Sequence, residues 1–141
     1  MGLFSTKRDP EDPEQLQIAV HELGHAFAWK LTGSTIREIR HTGDEGWVDV
    51  RVLAPDNRDF AIGLWAGFEA EDRWLKANNL GRAKRGNSSW DIGRFNKVRK
   101  DIKGGLSESK ARSLARPLVN RCWSQILETA PKLIRDGTLH I

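Results

Sequence analysis

Apolar and polar positions alternate along the 141-residue chain in two rhythms, and these divide it into elements. From Pro13 to Thr32, Leu16, Val20, Leu23 and Phe27 recur every three or four residues, the period of a helix with a buried face. Asp12 suits its N-cap, Pro13 its first turn and Gly33 its end. The rhythm then shortens to two. Thr35–His41 and Trp47–Leu53 alternate around Thr-Gly-Asp-Glu-Gly, which predicts a β-hairpin. Ile36, Ile39, Val48, Val50 and Val52 are its inward candidates, although strict alternation does not put them all on one face. Ala54-Pro55-Asp56-Asn57 breaks the second strand.

Helical spacing returns over Arg58–Ala77 with Phe60, Leu64, Trp65, Phe68 and Leu75. Asn78–Ser88, rich in Gly, Asn and Arg, reads as a loop. Ser88 or Ser89 then caps a third helix with Asp91 in its first turn, ended by Gly104-Gly105. Ser107 opens a last helical region striped by Leu106, Leu114, Leu118, Val119, Trp123, Ile126 and Leu127. Pro117 is expected to kink or restart it, and Pro131 to begin a short final turn. The elements add up to an α+β, mostly α-helical fold: a long helix with a hairpin or small sheet, followed by a helical bundle. One domain spans residues 1–141, with residues 1–11 as a mobile lead-in.

The first helix carries the chemistry. Among its apolar residues stand His21, Glu22 and His25. Positions i and i+4 of a helix share a face, so the two imidazoles can aim at one point, as the two histidines of a zinc site do. Glu22 lies beside that point, where it can take a proton from a water without binding the ion. This His-Glu-x-x-His pattern is that of zinc metallopeptidases. Burying two imidazoles and a carboxylate on an apolar helix is costly without a charged partner, which favours the zinc reading over two core histidines. Gly24, in the middle of the helix, predicts close packing by a neighbour.

Composition narrows the setting. Cys122 is the single cysteine, so no internal disulfide forms. No apolar run reaches the length of a membrane span, and the start has no secretory hydrophobic segment, so the cytoplasm is the expected location. The net charge of +4 is concentrated between Lys76 and Lys103. That stretch reads as a solvated basic face ahead of a nucleic-acid surface.

In this order the residues resemble the peptidase domain of the FtsH-like ATP-dependent zinc proteases and their standalone relatives. Ala19-Val-His-Glu-Leu-Gly-His-Ala26 is similar to that family's zinc helix, which also has glycine in the fourth motif position. Leu64-Trp-Ala-Gly-Phe-Glu-Ala-Glu71 looks like its Ala-Gly-containing helix, and Ser88-Ser-Trp-Asp-Ile92 like the segment whose aspartate is the third zinc ligand. The stretch from Trp123 to Leu139 is similar to its closing helices.

The resemblance implies a zinc-dependent endopeptidase acting on peptides or unfolded proteins. His21, His25 and Asp91 would hold the metal, Glu22 would be the general base, and Glu71 would accept a hydrogen bond from a ligand imidazole. The chain carries no membrane segment and no Gly-x-x-x-x-Gly-Lys-[Ser/Thr] loop for ATP, so it looks like the protease module alone. The metzincin extension is absent, with Ala28 and Leu31 where its glycine and third histidine would stand. Phe68-Glu-Ala-Glu-Asp72 also loosely resembles the second-glutamate helix of gluzincin-like and phage-repressor-cleaving peptidases. On that alternative Glu69 or Glu71, not Asp91, is the third ligand. A zinc-stabilised module without catalysis and a nucleic-acid-binding module are the other classes. No tyrosine is present, so any donor to a reacting oxygen must be another group; His41, read as a histidine exposed in a turn, is a weak candidate.

Overall fold

The computed structural model describes residues 7–52 and 57–141. Helix α1 (Pro13–Leu31) leads into strands β1 (Thr35–His41) and β2 (Gly46–Arg51). Helices α2 (Asn57–Ala77), α3 (Ser89–Val98) and α4 (Glu108–Asp136) follow, and β3 (Thr138–Leu139) closes the chain. The fold is α+β and mostly helical. Leu53 and the strand-breaking residues 54–56 lie outside the described residues, as does the first half of the lead-in.

Helix α1 is the centre of the molecule, packed against α2, α4 and both strands of the hairpin. Asp12 caps it by accepting from the Glu14 amide at 3.0 Å. From Ala19 to Trp29 every residue is buried except Glu22. A helix covered on all sides has no solvent face on which to place polar residues, so those it carries must be satisfied from its neighbours. The approach of α2 is close: a Cβ on Gly24 would stand 2.6 Å from the Ala70 Cβ and 2.7 Å from the Ala66 carbonyl.

The sheet order is β2-β1-β3, all antiparallel. A register shift between Ile36 and Glu38 lets Ile36 and Ile39, three residues apart, both face the core. That bulge resolves the mismatch in the alternation. Because β3 covers the far side of β1, β2 is an edge strand.

The sequence foresaw no strand after the last helix, and a two-residue strand is too short to show alternation. The prolines were also misjudged: α4 runs unbroken through Pro117 and Pro131. Each proline deprives a carbonyl four residues earlier of its partner, but Ser113 and Leu127 are exposed, so water can serve those carbonyls. Third, α3 ends at Val98 and a 3₁₀ turn, Arg99–Asp101, fills the space before the glycines. Within the lead-in, residues 7–9 are tied down by Gln15, which donates to the Lys7 carbonyl and accepts from the Asp9 amide, both at 2.7 Å. Among the described residues no helix is long and apolar enough to cross a membrane.

Candidate metal centre

His21 and His25 project from one face of α1 with their rings edge to face, centroids 4.7 Å apart. The Nε2 atoms are 3.0 Å from each other, and Asp91 Oδ2 stands 2.9 Å from one and 3.0 Å from the other. These three side chains form a group that can hold a metal ion.

The outer nitrogens decide what the inner ones offer. His21 Nδ1 lies 2.8 Å from Glu71 Oε1, and His25 Nδ1 lies 2.7 Å from the Gly63 carbonyl. Both partners are acceptors, so both Nδ1 atoms carry hydrogen and each Nε2 of a neutral ring presents a lone pair. Two lone pairs and a carboxylate oxygen thus converge within hydrogen-bond distance with no proton of their own between them. A cation is what such an arrangement lacks. Donors about 2.0–2.2 Å from a tetrahedral ion stand about 3.3–3.6 Å apart, so the triangle opens by a few tenths of an ångström to admit one.

Without an ion a proton takes that place. Burial alone would lower the His21 pKa, but the hydrogen-bonded carboxylates of Asp91 and Glu71 prevail and raise it to about 10. Asp91 shows the reverse balance. Burial would raise its carboxyl, yet the His25 charge and hydrogen bonds to both imidazoles hold it well below the usual range.

Asp91 reaches the histidines because the preceding loop is fastened to α2. Arg82 grips the Asp72 carboxylate with two hydrogen bonds of 2.9 Å, and the Ala83 amide donates to the same group at 2.9 Å. That grip holds the Asp72 carboxyl below its ordinary value. Phe95 of α3 then docks edge-on against Trp65 of α2, ring centroids 5.8 Å apart.

Glu71 and Glu69 go opposite ways, since residues two apart point to nearly opposite sides of a helix. Glu71 is buried and receives His21 Nδ1 and, at 2.6 Å, Gln17 Nε2. Glu69 is held by Arg112 Nε at 2.9 Å and Arg116 Nε at 2.6 Å, facing α4 rather than the histidines. The alternative with Glu69 as ligand is therefore not met by the structure, and Glu71 stands behind His21 rather than in the triangle.

His41, expected in an exposed turn, is buried. Its Nδ1 accepts from the Gly43 amide at 3.0 Å and its Nε2 donates to the Gln15 carbonyl at 3.0 Å. Burial lowers its pKa, and it does not line the cleft at the metal site. It ties the hairpin turn to the start of α1 and is unsuited to act on a reacting oxygen.

A cavity of about 890 Å³ opens over the triangle. α1, β2, Glu71 and the segment Asn87–Asp91 form its walls, and Glu22, the one partly exposed residue of the α1 core, lines it beside His21 and His25. Burial raises the Glu22 carboxyl, offset in part by the two histidines. Its carboxylate has no hydrogen bond among the described residues.

Three further contributors were not anticipated. Gly63 supplies the carbonyl that fixes His25, Gly67 leaves the space the His25 ring occupies, and Gln17 braces Glu71. A signal for the first two was present: Gly63, Gly67 and Glu71 repeat every four residues, marking the α2 face that meets α1. Comparison of the chain with protein-family models and with curated proteins gives no match.

Proposed function

We propose that the chain is a zinc-dependent endopeptidase that hydrolyses peptide bonds in peptides or unfolded proteins. One observation carries the reading: two imidazole lone pairs and the Asp91 carboxylate converge at the floor of an open cleft, with an unpartnered Glu22 beside them. Two nitrogens and one oxygen suit zinc, and three protein ligands leave a position free, the mark of catalytic rather than structural zinc sites. When bound, zinc polarises the carbonyl of the scissile bond and lowers the pKa of a water toward neutrality.

The chain's own residues do the rest. Glu22, its carboxyl raised by burial, takes the proton of the attacking water and gives it to the leaving amine. Glu71 fixes the His21 tautomer and the Gly63 carbonyl that of His25, so both rings keep the donor atom turned inward. We extend the proposal to kinship with the FtsH-like peptidase domains. Its support is the order of the parts: the two histidines on the first helix, the hairpin, Glu71 on the next helix, and Asp91 in the first turn of a third, 66 residues beyond His25.

The test compares zinc-loaded protein with its Glu22→Gln form on an unfolded protein substrate, read by mass spectrometry. The amide is nearly isosteric and cannot accept the proton. Expected is full zinc retention with hydrolysis reduced about 10²–10⁴-fold, the range of a general base. Undiminished cleavage by the metal-replete variant refutes the assigned role.

A further inference from the structure

The cleft has a charge opposite to that of the molecule. The protein carries 23 Lys and Arg against 19 Asp and Glu, yet no lysine or arginine is among the described residues that line the cavity. Six carboxylates line it. Glu22, Glu71 and Asp91 belong to the metal centre. Glu14, Asp44 and Glu45 do not, and none of these three enters an ion pair among the described residues.

These three are gathered at one end. His41 binds the Gln15 carbonyl and thereby seats the hairpin turn, with Asp44 and Glu45, against the first turn of α1, where Glu14 stands. Thr42 fixes the turn by donating to Asp44 at 3.1 Å and accepting from the Glu45 amide at 3.2 Å. The exposed Trp47, two residues on, stands beside the acids with the Arg40 guanidinium 5.6 Å from its ring centre.

Ser88 occupies the N-cap position of α3 but makes no capping bond. It lines the cleft with only 3% of its surface exposed, and its hydroxyl has no partner among the described residues. That hydroxyl is sealed within the wall rather than open to the cleft.

Resting on the peptidase reading, we propose that the cleft selects extended peptides carrying a lysine or arginine about three residues from the bond to be cut. The spacing follows from geometry. Glu14 precedes His21 by seven positions, or about 10 Å at 1.5 Å per helical residue, which an extended peptide covers in about three residues. The edge of β2, unpaired among the described residues, runs along the same cleft and offers main-chain pairing to such a peptide. Gly46, at its start, sits so close to α1 that a Cβ there would lie 2.8 Å from Glu22 Cγ.

Two arms test this. In the first, zinc-loaded Glu22→Gln protein is titrated by tryptophan fluorescence with uncharged decapeptides and with the same peptides bearing one arginine at successive positions. Binding about five- to twenty-fold tighter is expected at one position, weakening with salt and abolished by combining Glu14→Gln, Asp44→Asn and Glu45→Gln. Equal affinity for charged and uncharged peptides, or an arginine preference that survives the triple change, overturns the proposal. In the second arm wild-type protein digests the same set. Cleavage without preference for the arginine peptides sinks the cationic selectivity and leaves the peptidase reading standing. Selective binding without cleavage does the reverse.

Discussion

Replacing Gly67 with alanine tests the metal centre from behind. A methyl group there falls on the His25 ring, meeting Nε2 and coming within 2.6 Å of Cε1 and 2.7 Å of Cδ2. The ring has little room to yield: Nδ1 donates to the Gly63 carbonyl, and one face stacks on Trp29 at 5.1 Å between centroids. Nor can α2 settle elsewhere cheaply, because Gly24 already brings the two helices into contact. Against this, alanine gains about 1 kcal/mol over glycine in a helix interior. Overpacking costs about 1–3 kcal/mol and the lost imidazole hydrogen bond about 0.5–1.5 kcal/mol, so the strain prevails. The metal-free variant should be less stable than wild type by about 1–3 kcal/mol in urea unfolding.

The effect on zinc should be larger, since the displaced atom is itself a proposed ligand. Disturbing a group behind a ligand costs about 10–100-fold in affinity, so moving the ligand should cost more than about 100-fold by chelator competition. Gly93→Ala is the control. Gly93 lies exposed in α3 with nothing within 4 Å of an added Cβ, so it should gain up to about 1 kcal/mol and bind zinc as wild type does. If Gly67→Ala binds zinc within about threefold of wild type, His25 is not where the ion is held.

Glu71→Gln keeps the shape behind His21 but sets an amide against the Gln17 amide, and zinc affinity should fall about 10–100-fold in the same competition assay; no change would remove Glu71 from the centre. Glu69→Ala takes the shared carboxylate from Arg112, which keeps Glu108, and from Arg116, and both reach water, so a loss of about 1–3 kcal/mol in unfolding is expected with zinc affinity unchanged. Release of zinc by that variant would return Glu69 to the ligand set. Zinc affinity should also rise with pH. His21 in the metal-free fold holds a proton up to about pH 10, above its ordinary 6.5, so that proton's contribution to stability is complete below about 6.5 and lost as pH climbs through 10. An ion must expel it, and affinity should strengthen about tenfold per pH unit, or about 30-fold between pH 6.5 and 8 by calorimetry. A flat profile would contradict the protonated cluster.

Much of this site was legible because it is written in local spacing. Two histidines four apart with a glutamate between them, an N-cap, a proline and a terminal glycine all act within one helix. The hairpin was readable for the same reason. What escaped was set by distant partners. Glu69 and Glu71 look alike in sequence, and only the cationic side chains of α4 on one side and His21 on the other separate them. His41 resembled an exposed turn residue because its acceptor, the Gln15 carbonyl, lies 26 residues earlier. The prolines of α4 misled because their cost depends on whether water reaches the freed carbonyls, which is a property of the packed molecule.

Among the described residues the hydrogen bonds between α3 and α1 all pass through the Asp91 carboxylate, and the 82–103 stretch around it holds eight of the chain's 23 lysines and arginines. An ion held at that point would tie α3 to α1 in place of those hydrogen bonds. Trypsin-like enzymes cut after lysine and arginine, so the resistance of the 82–103 stretch to such an enzyme would report how firmly Asp91 is held, by the histidines alone or by an ion between them.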